Sequence, residues 1–265
     1  MYKLGIIGAG NMSNAIISGI LKNNIFEPGE IIVSDKNVET LKELKMRHSV
    51  EATSDNLEVI SNATLIILAI KPQVIPMVAQ EIRPHIKSLH TFISIAPGKT
   101  LEWLANQLTP ECKLIRCMPN TPAAVLEGCT GYCHGEGVSE EVLEKFKEIF
   151  QSIGKLHYVE ERLMDVVVGI SGSSPAYVFM MIEAMADAGV LAGMPRKDAY
   201  EMSAQAVLGS AKMVLESGIH PGQLKDMVCS PGGTTIEAVR TLEKNRYRSG
   251  IIEAINDCIE KSRSL

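Results

Sequence analysis

The chain has 265 residues, enough for two domains of ordinary size, and its 46% hydrophobic and 22% charged content excludes an extended disordered or fibrous protein. A formal net charge of −5 gives no overall basic field, which argues against a nucleic-acid partner and against an anionic membrane surface. Six cysteines, in a chain that opens without a basic or long apolar leader, read as reduced thiols of a cytoplasmic protein rather than as a disulfide framework.

Short runs rich in Ile and Val predict strands over residues 3–7, 31–34, 50–52, 64–70, 91–95, 113–117, 130–133 and 155–159. Helix-period segments at residues 12–22, 38–46, 73–86, 101–108 and 139–152 alternate with them. That alternation implies right-handed βαβ units and a largely parallel sheet, so residues 1–160 are expected to form an α/β, Rossmann-type domain. From 161 to 265 no β-branched strand run recurs, and helices are expected at 163–169, 175–192, 196–217, 221–228, 235–244 and 248–263. Small residues on the second of these, Ala184, Ala186, Ala188, Gly189, Ala192 and Gly193, allow close helix approach, either inside a bundle or across a subunit interface. The longest uncharged run, 166–182, is broken by Ser171-Gly172-Ser173-Ser174-Pro175 and falls short of the roughly 20 apolar residues of a membrane span.

The first strand runs straight into Gly8-Ala9-Gly10-Asn11-Met12-Ser13 and then an apolar-periodic helix. Gly8 suits a tight turn, Gly10 lets the backbone approach a pyrophosphate, and the helix start offers free N–H groups to that anion; Ser13 in place of a third glycine is still small. A dinucleotide is therefore expected at Gly8, Ala9, Gly10, Asn11 and Met12. At the end of the second strand, Asp35 suits ribose hydroxyls, whereas Ser34 and Lys36 suit a 2′-phosphate, so this position leaves NADPH and NADH both open. Asp35 as a cap of the following helix is the structural alternative. The loops after the fourth and fifth strands, Ala69-Ile70-Lys71-Pro72 and Ala96-Pro97, lie where ligands bind in open parallel sheets and are expected to flank the nicotinamide. Asn56 is placed in the same cofactor-binding set. Asn120 and Thr121 after the sixth strand are candidates to hydrogen-bond the nicotinamide carboxamide or to close the pocket, and Glu161, ahead of the first carboxyl-terminal helix, is a candidate for the substrate.

Cys129, Cys133 and His134, or Cys112 and Cys117, lack a second ligand pair at zinc spacing, so no metal is expected. In Ser230-Pro231-Gly232-Gly233-Thr234-Thr235-Ile236-Glu237, the Thr234/Glu237 spacing is that of a capping box, with Thr234 as N-cap behind a bare glycine turn. The hydroxyls of Ser230 and Thr235 and the free N–H groups there suit a carboxylate guest.

Three segments taken in order, Cys117-Met118-Pro119-Asn120-Thr121-Pro122-Ala123, Ser171-Gly172-Ser173-Ser174-Pro175-Ala176-Tyr177 and Ser230-Pro231-Gly232-Gly233-Thr234-Thr235, resemble those of the pyrroline-5-carboxylate reductase family over essentially the whole chain. The resemblance implies a helical domain that dimerises, with homodimers or larger assemblies built from them. It also implies reduction of a cyclic imine to proline by NADPH in preference to NADH, with Ser230, Gly232, Gly233 and Thr234 at the substrate and Thr235 hydrogen-bonding the ring nitrogen. Ser174 and Met227 depart from the family's usual Gly and polar residue. A dehydrogenase of the 3-hydroxyacid type would use a lysine in the interdomain helix, and residues 175–193 contain none. A protein that only senses a dinucleotide would leave the Ser230–Thr235 loop no purpose beyond capping.

Overall fold

The computed structural model describes residues 1–264. An eight-stranded sheet is built from β1 (Leu4–Ile7), β2 (Ile31–Ser34), β3 (Glu51–Thr53), β4 (Leu65–Leu68), β5 (Thr91–Ser94), β6 (Lys113–Met118), β7 (Gly128–His134) and β8 (Gly154–Tyr158). Its order is β3-β2-β1-β4-β5-β6-β7-β8, with every neighbouring pair parallel except β6 and β7. The central strands β1, β2, β4 and β5 are buried on both faces, as parallel strands under crossover helices must be, while the edge strands β3 and β8 are partly exposed. Leu4 and Ile6, Ile31 and Val33, and Leu65 and Ile67 enter one core, whereas Ile7, Ile32, Ile66 and Leu68 enter the other.

The crossover helices are α1 (Asn11–Lys22), α2 (Val38–His48), α3 (Asn56–Asn62), α4 (Ile75–Ile82), α5 (Leu101–Gln107) and α6 (Glu140–Gln151). Their starts follow local chemistry: Asn37, Asp55, Thr100 and Ser139 each accept first-turn N–H groups of α2, α3, α5 and α6. The start of α1 differs, because Gly10 is its N-cap and no side chain caps it.

Residues from 161 continue as a 3₁₀ turn, α7 (Met164–Val167), a π turn over Val168–Gly172 and then α8 (Ser174–Leu191). Ser174 opens α8 despite the glycine expected there. The helices α9 (Arg196–Ser217), α10 (Pro221–Val228), α11 (Thr234–Lys244) and α12 (Tyr247–Arg263) follow. The described chain divides into two units, one of residues 1–173 with 258–264, the other of residues 174–257. The first unit runs on past residue 160 to Ser173 because α7 packs on the sheet: a Cβ on Gly131 of β7 would lie 2.7 Å from Val167 Cγ1. The end of α12 belongs to the sheet unit as well.

Within the helical unit α8 packs on α9, Ala186 and Ala199 being buried, and a Cβ on Gly189 would lie 3.2 Å from that of Ala199. Arg196 pairs with Asp187 and lies over the Tyr200 ring. The small-residue stripe therefore serves the α8–α9 contact in part, while Ala184 and Ala188 remain exposed. All six cysteines are free; burial pushes the Cys117 thiol well up and that of Cys133 up to about 12, which keeps both protonated and unreactive.

Candidate functional site

The sheet order reverses between β1 and β4, and the crevice at the carboxyl ends of those strands is where open α/β sheets bind ligands. Gly8 leaves β1 at φ +106°, and a Cβ there would stand 2.4 Å from the carbonyl oxygen of Ala69, so only glycine closes this turn against the end of β4. Gly10 is different: a Cβ would meet no protein atom within 4 Å, so packing gives no reason for glycine, whereas a phosphate docked on the uncapped start of α1 does. Ser13 is fully buried and donates from Oγ to the carbonyl of Gly8 at 2.6 Å, holding helix and turn together. Behind the turn, Asn14 Nδ2 donates to the carbonyls of Ala9 and Gly10, and its Oδ1 meets His48 Nε2 at 3.1 Å. The loop residues Gly8 to Met12 thus form a braced turn that opens onto the uncapped start of α1.

Asp35 does not cap α2; Asn37 does. Its Oδ2 accepts the Ala9 N–H at 2.8 Å and its Oδ1 the Asn37 N–H at 2.8 Å, so the carboxylate ties the end of β2 to the glycine turn. Ser34 is fully buried, and Oγ donates to Asn56 Oδ1 at 2.7 Å, which removes its hydroxyl from the surface on which a 2′-phosphate would sit. Asn56 is equally committed, donating from Nδ2 to Glu81 Oε2 at 2.8 Å. Lys36 is the exposed cation of that group, 3.6 Å from Glu81. Ala69, Ile70 and Pro72 are half-buried and Lys71 is exposed after β4, with Ala96 buried and Pro97 half-buried after β5. The structure therefore brings these two loops to the same sheet end as Gly8.

Asn120 is tied into the fold. Its Oδ1 accepts the Cys129 N–H at 2.8 Å and its Nδ2 donates to the Ser171 carbonyl at 2.9 Å, which fixes the amide in place with one N–H left over; Thr121 is exposed beside it. Glu161 is likewise engaged: Oε1 accepts the Leu101 N–H at 2.7 Å and Arg116 Nη1 at 3.1 Å. Sequence reasoning missed Arg116, whose 3% exposure marks it as a buried cation, because its partners Glu161 and Asp165 lie far along the chain.

In the helical unit the Ser230–Thr235 segment forms a tight turn. The Gly233 N–H bonds to the Ser230 carbonyl at 3.0 Å, and Gly232 takes φ +67°. The expected capping box is absent. Gly233 is the N-cap of α11, Thr234 is already its first residue, and no side chain caps the helix. Glu237 instead binds Arg240 at 2.5 and 3.1 Å, and that guanidinium holds its carboxyl below the usual range. The left-handed turn at Gly232 ends one residue earlier than the Thr/Glu spacing implied, and the helix start stays open. Thr235 is half-buried and Ser230 and Thr234 are exposed.

A chain from Escherichia coli (strain K12) named pyrroline-5-carboxylate reductase is 48% identical over 263 residues, covering 99% of this chain and 98% of its own. The chain belongs to the pyrroline-5-carboxylate reductase family. The family profile described as "Pyrroline-5-carboxylate reductase dimerisation" matches residues 161–265, and that described as "NADP oxidoreductase coenzyme F420-dependent" matches residues 3–98. A pyrroline-5-carboxylate reductase structure from Coxiella burnetii superposes with TM-score 0.91 at 32% identity, over 99% of this chain and 98% of that one. The Plasmodium falciparum pyrroline carboxylate reductase, solved with NADP bound, gives TM-score 0.89 at 33% identity over 99% and 97% of the two chains. In this family member the open turns at Gly8–Met12 and Ser230–Thr235 lie in the regions matched by the two profiles respectively.

Proposed function

We propose that the chain reduces 1-pyrroline-5-carboxylate to L-proline, the last step of proline biosynthesis, with NADPH as donor, as a soluble cytoplasmic homodimer or an assembly of dimers. The observation that carries the reading is the uncapped start of α11 behind the Gly232 turn, in a chain 48% identical to a named reductase. Gly8, Ala9, Gly10, Asn11 and Met12 would hold the pyrophosphate, and Lys36, exposed at the end of β2, would take a 2′-phosphate. Ala69 to Pro72 and Ala96 to Pro97 would flank the nicotinamide, which supplies the hydride when bound.

The first-turn N–H groups of α11 and the Ser230 hydroxyl hold the substrate carboxylate, since an uncapped helix start carries partial positive charge. With the carboxylate fixed there, the Thr235 hydroxyl donates to the ring nitrogen, where electron density rises as the C=N bond is reduced. One proton must reach that nitrogen for the amine to form, and the hydroxyl passes it from water. Thr235→Ala should lower kcat by about 10- to 1,000-fold while leaving NADPH binding intact, as measured by NADPH oxidation with proline identified as product. Unchanged turnover would sink the proton role.

The stretch Glu161–Leu191 is long and apolar enough to cross a membrane, though only 17% of its most apolar window is buried within the chain. Its Glu161 and Asp165 face the buried cation Arg116, and Glu183 and Asp187 add charge along α8, which suits a second protein copy as its cover rather than lipid.

A further inference from the structure

The chain leaves the sheet unit after Ser173 and returns to it at Cys258. Both passages are tied on the sheet side by side-chain bonds that meet at one buried cation. Arg116 of β6 donates from Nη1 to Glu161 Oε1 at 3.1 Å, and its Nη2 lies 4.0 Å from Asp165 Oδ1. Asp165 Oδ1 also accepts Ser262 Oγ at 2.6 Å, so the outgoing helix and the returning end of α12 share one carboxylate. Nearer the crossing, Cys258 Sγ donates to Ser173 Oγ at 3.3 Å, which joins the last residue of the outgoing segment to the first of the returning one. A buried ion pair adds little net stability over apolar packing of the same volume. What Arg116 does that an apolar side chain cannot is bond the Glu161 carboxylate directionally and attract that of Asp165 from the same strand.

We propose that Arg116 is a positioning residue for the reaction: with Glu161, Asp165 and Ser262 it clamps the outgoing and returning segments to the sheet unit as one anchored pair, so that both ends of the chain that leads to Ser230–Thr235 are fixed together on β6. The effect on the reaction rests on the function proposed above. The cofactor turn at Gly8–Met12 makes no bond to the clamp, so loosening it should act on substrate placement and spare the dinucleotide.

The test compares the full-length wild type with Arg116→Met, Arg116→Lys and Ser262→Ala, the last removing one hydroxyl and no charge so that folding is retained. Steady-state rates with 1-pyrroline-5-carboxylate and NADPH are measured beside amide hydrogen exchange over 161–173 and 258–264. Arg116→Met should lower kcat/KM for the imino acid by about 100-fold, the scale of a misplacement near 1 Å, with the NADPH KM unchanged. Arg116→Lys should recover part of that loss, and Ser262→Ala should raise the imino-acid KM and speed exchange in both segments together. Unchanged imino-acid kinetics in Ser262→Ala and Arg116→Met, or a parallel worsening of both KM values with a lower Tm, overturns the positioning role. If the wild type itself does not turn over the imino acid, the reaction assignment falls and exchange alone judges the clamp: faster exchange over 161–173 in Ser262→Ala supports it, and no change overturns it.

Discussion

The two units of this chain use similar side chains in opposite ways. The sheet unit buries Phe92, Phe146 and Phe150 completely together with most of its Ile and Leu, and its aromatic rings contact one another, Phe146 lying 4.7 Å from Phe150 and 5.0 Å from Tyr132 by ring centroid. Residues 174–257 bury only Ala186 and Ala199 among their apolar side chains, while Phe179, Met180, Leu191, Leu208, Leu215 and Ile252 are exposed. A helix apolar on all sides is built to be covered on all sides. One unit therefore carries its own hydrophobic core, and the other holds half of a core that a second copy completes. Burial sets the rank of each expected effect on stability.

The largest effect belongs to the sheet unit. Phe146→Ala removes a fully buried ring from the centre of the α6 packing and should lower unfolding free energy by about 3–5 kcal/mol, read from urea titration at fixed protein concentration. A loss below about 1 kcal/mol, the range of surface substitutions, would break the contrast from the sheet side.

The contrast sharpens on dilution. Trp103, the single tryptophan, lies on α5 and reports the sheet unit, whereas far-ultraviolet dichroism is weighted toward the long helices α8, α9 and α12. If the helical unit is completed by a partner, tenfold dilution should cost it about 1.4 kcal/mol per dimer, and its helical signal should be lost at lower denaturant than the Trp103 fluorescence. Coincident transitions with no dependence on concentration would mean that the exposed apolar face needs no partner.

The same physics explains what could be read from the sequence. β1, β2, β4 and β5 were legible because each is a short apolar run buried on both faces, and Gly8 and Gly10 announced the tight turn through their place between a strand and a helix. The seven-residue α3 (Asn56–Asn62) was not legible, being too short for its apolar residues to establish a period. The start of α11 was misplaced by one residue because spacing alone cannot show that Gly232 adopts a left-handed turn ending at Gly233. Asn120 and Glu161 drew functional roles since each stands alone in its local sequence; their partners, Cys129 and Ser171 for one, Leu101 and Arg116 for the other, are brought by tertiary folding. The π turn over Val168–Gly172 likewise left no local signal. Local pattern fixes elements, and side-chain commitments made across the sheet decide which polar residues remain free for chemistry.

The smallest expected effect separates the units by acid. His48 and His90 are both buried in the sheet unit, and desolvation, aided by Arg47 and Lys87 respectively, holds each below the ordinary 6.5. The helical unit's one histidine, His220, is exposed. For the buried pair the unfolded chain takes up protons at a pH where the fold does not, so their contribution to stability is present above about 6.5 and is lost as pH falls through that value toward the lower folded pKa. The lowered carboxyls of Glu30, Glu144 and Glu237 act in a more acid window, since their contribution is present above the ordinary 4.5 and fades only below it. Between pH 7 and 5.5 the Trp103 transition should therefore move to lower urea while the dichroism transition of the helices moves less. In a His48→Gln/His90→Gln double variant the Trp103 midpoint should become flatter across the same range, and a slope as steep as that of the wild type would place the acid sensitivity elsewhere than in these two buried rings.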